Sequence, residues 1–299
     1  MNLSRFYKAV SGTAVLLLTV TSLGTAAEQS ISLSTKDGWA LSAVYSPATK
    51  NTTVVLLHDL GKNKAEFSSF RKALAKAGFG YVALDLRGHG QSTSRGGYKS
   101  FAKEGVDNPF NKMMQDTLAA VSFLKSKGVS ENHIILLGTG LGANVAAKTA
   151  GALPNLKGIA LISPSANIRD VLPVPALRTF KGAVLIAASA DERKGFLEAS
   201  ILRNVSFLTA GAGHVTFLTA YDGSSHELLD KYLTPSVVQW VATPVRPELL
   251  PDAKLPLSHR APIQSEPETD SLLPSVLMEQ ENSHETRTHC FPRILVRPK

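Results

Sequence analysis

Short apolar runs separated by helical segments constrain the fold of this chain more than any other feature. They are Thr53-Val-Val-Leu-Leu-His58, Tyr81-Val-Ala-Leu-Asp85, and residues 134–138, 158–162, 183–188 and 205–209. Continuous runs of this length predict strands buried on both faces. Between them, Ala65 to Lys76 has helical spacing through Phe67, Phe70 and Leu74 and stops at Gly78. Residues 111–126 place Met114, Leu118, Val121 and Leu124 along one helical face. Strand and helix in alternation predict an α/β fold, a mostly parallel central sheet with helices on both faces. Ahead of it, Ile31-Ser-Leu-Ser34 and Leu41-Ser-Ala-Val-Tyr45 read as two alternating strands, and a closing helix is expected from Ser225 to Val241.

The two ends differ from this middle. Arg5 and Lys8 precede the apolar run Ala14–Val20, and small residues follow at Gly24-Thr-Ala-Ala27. That is a secretory signal layout over residues 1–27, and it predicts export to the periplasm or outside the cell, with no integral span once the signal is removed. Cys290 is the single cysteine, so no intrachain disulfide can form and the fold must rely on its apolar core. The compact domain is expected over residues 28–243. Residues 244–299 hold nine of the sixteen prolines, which forbids a long helix or central strand there, and this tail is expected to be extended and poorly ordered. The formal charge of +8 is modest for 299 residues and lacks the aromatic–basic interleaving of a nucleic-acid surface. No nucleic acid, cofactor or metal is expected. A small ester-like ligand is, and no protein partner is indicated.

The chemistry centres on Ile134-Ile-Leu-Leu-Gly-Thr-Gly-Leu-Gly-Ala-Asn144. An apolar strand runs into Gly-x-Gly-x-Gly and a small-residue helix runs out. That layout holds one side chain at the strand's carboxyl end, on a strained turn facing a pocket. Here the position is Gly140, which has no side chain to present. Together with Leu57-His-Asp-Leu-Gly61, Ala83-Leu-Asp-Leu-Arg-Gly-His-Gly-Gln-Ser92, Asp191 and Gly211-Ala-Gly-His214, this segment resembles the α/β-hydrolase superfamily, in particular its lidless serine esterases and acylglycerol-lipase-like members.

That resemblance covers about residues 30–242. It implies a nucleophile position at Gly140, an acid at Asp191 and a base at His214, with the backbone N–H groups of Leu60 and Leu141 as oxyanion donors. His58 and His89 take structural roles by the same match. Each residue also has a plainer reading: Asp191 can cap the next helix, and His214 can be a solvated turn histidine. Asp59 departs from the usual glycine and places a carboxylate beside the oxyanion turn. The few, proline-containing residues between the runs at 158–162 and 183–188 predict a minimal cap. Without a hydroxyl at 140 the covalent acyl route is closed, which predicts a non-catalytic or severely impaired homologue acting as a binding or scaffold module. The rival reading is a hydrolase of small esters or lactones in which His214 and Asp191 activate water, or an unconventional nucleophile acts. Thr139 points away from the pocket, and a carboxylate attacking from the position of Asp59 is expected to have the wrong geometry.

Overall fold

A computed structural model describes residues 27–105, 107–221 and 227–244. Residues 1–26 and 245–299, on which the expected signal segment and the expected tail fall, lie outside the described residues. The core is an eight-stranded sheet in the order β1-β2-β4-β3-β5-β6-β7-β8. Its strands are β1 (Gln29–Ser34), β2 (Ala40–Ser46), β3 (Thr53–Leu57), β4 (Gly80–Leu84), β5 (Ile134–Thr139), β6 (Gly158–Ile162), β7 (Ala183–Ser189) and β8 (Val215–Ala220). β1 and β2 pair antiparallel, β2 meets β4 antiparallel, and every pairing from β4 through β8 is parallel. β3 to β7 are buried along their whole length, as runs without polar alternation require.

Helices cover both faces. α2 (Met114–Ser126), α3 (Leu141–Ala150), α4 (Val174–Leu177) and α5 (Arg193–Ala210) pack on one side, through Val121, Leu124, Ala147, Leu177 and Leu202. α1 (Ser68–Lys76) and α6 (Thr234–Ala242) pack on the other, through Phe70, Leu74, Val237 and Trp240. The link between β6 and β7 carries only the four-residue α4, so the expected minimal cap is observed.

Two elements differ from the sequence reading. Residues 205–209, expected as a strand, form the last turns of α5. Ala199, Leu202 and Ser206 are buried at helical spacing, and this burial overrides the short apolar alternation that suggested a strand. The sheet closes instead on Val215–Ala220. The expected closing helix is divided: a π-helical turn spans Leu228–Leu233 and regular helix begins at Thr234, while residues 225 and 226 lie outside the described residues. Pro235 lacks the N–H a regular turn needs, and Thr234 Oγ1 donates instead to Leu229 O at 2.9 Å across the widened turn.

Candidate active site

The turn from β5 into α3 is built by close backbone packing. A Cβ on Gly138 would lie 2.2 Å from the Gly142 carbonyl, and one on Gly142 would lie 2.0 Å from Leu57 O, so both positions exclude any side chain. Between them Gly140 has φ 48° and ψ −115°, a region that costs residues with a Cβ about 1–3 kcal/mol. Its N–H donates to Ile162 O at 2.9 Å, and its carbonyl accepts from Asn144 N at 3.2 Å. The elbow therefore forms although no nucleophilic side chain stands on it.

What fills the place of that side chain is Asp59, from the loop after β3. An ideal Cβ on Gly140 would stand 2.0 Å from Asp59 Oδ1 and 2.4 Å from Oδ2, well inside contact distance. Asp59 Oδ1 accepts the Leu60 N–H at 2.6 Å and the Leu141 N–H at 2.8 Å. These are the two amides that the sequence pattern assigns to an oxyanion hole. Both point at one oxygen of the protein's own carboxylate.

The loop carrying Asp59 is held from behind. Glu66 Oε2 accepts the Asp59 N–H at 2.9 Å, and Thr139 Oγ1 bonds Glu66 Oε1 at 3.0 Å, which ties the loop to the end of β5. Burial pushes the Glu66 carboxyl up to about 7, and its bonds to Asp59 N and Thr139 offset only part of that shift. His58 is fully buried, which pulls its pKa down to about 3. The Leu86 N–H donates to His58 Nε2 at 3.0 Å, so Nδ1 carries the proton and donates to Asp59 O at 2.8 Å. His89, its pKa lowered by burial, stacks on Tyr98 with ring centroids 4.2 Å apart. Both histidines therefore shape the loops. Below them Arg87, buried, pairs with Asp116 through Nη2 at 2.7 Å and with Asp37 through Nη1 at 2.6 Å.

The remaining two expected residues lie on opposite edges of the sheet. Asp191 lies just beyond β7, on the carboxyl edge that also holds Gly140, but its side chain is exposed, and its backbone carbonyl receives Arg193 N at 3.2 Å. His214 is displaced altogether. It sits in the 3-10 turn Ala212–His214 before β8, hence at the amino end of a strand parallel to β5, on the opposite edge of the sheet from Gly140. Its assignment as the base is corrected by that placement, because ligand chemistry on such sheets gathers at the carboxyl ends. The error follows from placing the last strand at residues 205–209 instead of Val215–Ala220. The first histidine after the strand that does close the sheet is His226, in the stretch Asp222-Gly-Ser-Ser-His226, outside the described residues. Glu66 carried no sequence signal, since its partners Asp59 and Thr139 meet it only in the folded chain.

Between the end of β6 and the start of α5 a cavity of about 480 Å³ is lined by Ser163, Ser165, Glu192, Arg193 and Glu198, among others. Ser163 follows β6 with φ 49°, and its buried Oγ has no hydrogen-bond partner. A larger cavity of about 640 Å³ lies by the far end of α3, at Lys148, Gly151 and Ala176, remote from the elbow. Among the described residues, no group of three or more His, Cys, Asp or Glu could hold a metal, and no helix is long and apolar enough to cross a membrane.

Comparison with known proteins places this geometry in a family. The sequence pattern of the family described as Serine aminopeptidase, S33 matches residues 48–202, just over half of the chain. The chain belongs to that family. Its superfamily is that of the α/β-hydrolases. Solved structures agree on the fold. An esterase of Pyrococcus furiosus superposes with a TM-score of 0.61 at 15% identity, over 73% of this chain and 93% of its own. A dienelactone hydrolase of Anabaena variabilis gives 0.60 at 14%, over 75% and 100%. The esterase domain of a Rhodothermus marinus protein gives 0.55 at 14%, over 72% and 97%. No curated protein matches the sequence.

Proposed function

We propose that this protein has given up serine-type ester hydrolysis and keeps the hydrolase pocket as a binding site for a small ligand. One observation carries the reading. The Asp59 carboxylate accepts both Leu60 N–H and Leu141 N–H in the volume where a side chain on residue 140 would begin. Acyl transfer needs a nucleophile on the elbow and two open donors for the developing oxyanion. Gly140 removes the first, and a serine hydrolase without its serine loses on the order of 10⁶ in kcat. Asp59 removes the second.

The cavity of about 480 Å³ between the end of β6 and the start of α5 falls in the range of small-ligand pockets, which supports binding at the carboxyl edge. The esterase and lactone-hydrolase names of the neighbours suggest an ester-like ligand. The charged, apolar and small-residue succession over residues 1–27 supports export. Water activation by His214 and Asp191 has no geometry behind it, since the two stand on opposite edges of the sheet. The test is p-nitrophenyl butyrate turnover by the wild type and by Asp191→Ala. Both are expected at the buffer rate; wild-type turnover that Asp191→Ala abolishes would overturn the reading.

A further inference from the structure

The larger cavity, by the far end of α3, takes no part in the elbow and holds a charge of its own. Its volume of about 640 Å³ is that of a small-ligand pocket. Met114, Ala152, Leu172, Pro175 and Ala176 give it an apolar lining, and Lys148 and Asp170 are its ionisable groups. The helix explains how these meet. Asn144, one turn before Lys148, donates through Nδ2 to Ser165 O at 2.9 Å and to Val171 O at 2.8 Å, which clamps the segment after β6 against α3. Residues four apart share a helical face, so Lys148 faces the continuation of that segment. There Arg169 and Asp170 take left-handed conformations, φ 53° and 62°, and Asn108 Nδ2 donates to Arg169 O at 3.0 Å. Leu172, 44% exposed, follows this turn onto the cavity wall.

Lys148 reaches the cavity as a half-buried ammonium. Nζ donates to Asn111 Oδ1 at 2.6 Å, which uses one of its three N–H groups. Among the described residues no carboxylate forms an ion pair with it. Burial pulls its pKa below the ordinary lysine value, and no neighbouring charge restores it. Asp170 is engaged elsewhere: Oδ2 accepts the Gly105 N–H at 2.7 Å, and Oδ1 accepts from Asn167 Nδ2 at 3.4 Å. An ammonium set in an apolar wall without a counter-ion favours an anion brought from outside.

We propose that this cavity binds a medium-chain monocarboxylate, its carboxylate on Lys148 Nζ and its alkyl chain along Leu172, Pro175 and Ala176. One ammonium balances one negative charge, and Asp170 on the same lining opposes a second, which disfavours phosphate esters and dicarboxylates. Lys148 is eight residues along α3 from Gly140, about 12 Å at the helical rise, so this site and the one at the elbow can each exist without the other.

Butanoate, hexanoate and octanoate are titrated calorimetrically into the full chain and into its Lys148→Met and Arg193→Ala variants. Each buried CH₂ group strengthens binding about fourfold, so affinity is expected to rise by roughly tenfold for every two carbons added. Lys148→Met keeps the apolar stem without the charge and should weaken octanoate by about tenfold or more. Arg193→Ala, in the separate cavity between β6 and α5, should leave octanoate binding as it is. A second readout needs no variant. Octanoate should slow the reductive methylation of Lys148 by formaldehyde and cyanoborohydride, followed by peptide mass, and leave that of the exposed Lys72 on α1 unchanged. Octanoate binding that is absent, indifferent to chain length or undiminished in Lys148→Met would overturn the proposal. So would an equal loss in Arg193→Ala, or methylation of Lys148 that octanoate does not slow.

Discussion

Gly140→Ala isolates the contact between the elbow and Asp59 without introducing a nucleophile. The added Cβ would stand 2.0 Å from Asp59 Oδ1, so the carboxylate must leave the cradle. Backbone strain at φ 48° contributes about 1–3 kcal/mol. Expelling the carboxylate breaks two hydrogen bonds to a charged acceptor, each with a net value of about 1.5–3 kcal/mol, part of which hydration returns. The single substitution is therefore expected to cost about 3–5 kcal/mol. In an Asp59→Ala background the contact is already gone, and the same change should cost only the strain, about 1–3 kcal/mol. The double-mutant cycle, run by urea unfolding, is thus expected to give a coupling of about 2 kcal/mol. Equal costs in the two backgrounds, within about 0.5 kcal/mol, would refute the claim that Asp59 occupies the space of the missing side chain.

Further expectations concern the surrounding groups. Burial raises Glu66 from the ordinary glutamate value of 4.5 to about 7, so the fold favours its protonated form. The stability that proton brings is complete below about pH 4.5 and is lost as pH rises through about 7. Glu66→Gln should therefore gain on the wild type by about 1–2 kcal/mol between pH 5 and pH 8, after allowance for partial exposure; parallel stability curves would contradict this. Asp116→Ala leaves Arg87 buried with only Asp37 opposite it and should cost about 3–5 kcal/mol in denaturant unfolding. A loss under 1 kcal/mol would show that water reaches the guanidinium. Where a serine is restored at position 140 with Asp59 removed, chain order makes His226 the base, so His226→Ala should abolish its reactivity and His214→Ala should not.

The sheet and the elbow were legible because their signals are local. Val54 to Leu57 and Ile134 to Leu137 have no polar alternation, and Gly138 and Gly142 mark backbone contacts too close for a side chain. The edge of the sheet was not, because Val205–Thr209 and Val215–Ala220 are both short and apolar and only packing separates them. Placing the last strand at residues 205–209 moved the base to His214. Asp59 was visible as a departure from glycine, but its meaning lay in a contact with Leu141, 82 residues away in the chain. No spacing rule reports that a carboxylate on one loop will settle onto the bare turn of another.

Fluorophosphonate labelling of three proteins tests the central claim most directly: the wild type, Gly140→Ser, and Asp59→Gly combined with Gly140→Ser. If Asp59 fills both the cradle and the nucleophile's place, the wild type stays unlabelled, and the single variant, whose serine Cβ must first displace the carboxylate, is modified at position 140 more slowly than the combined variant. A labelled wild type, or a single variant labelled as fast as the combined one, would contradict it.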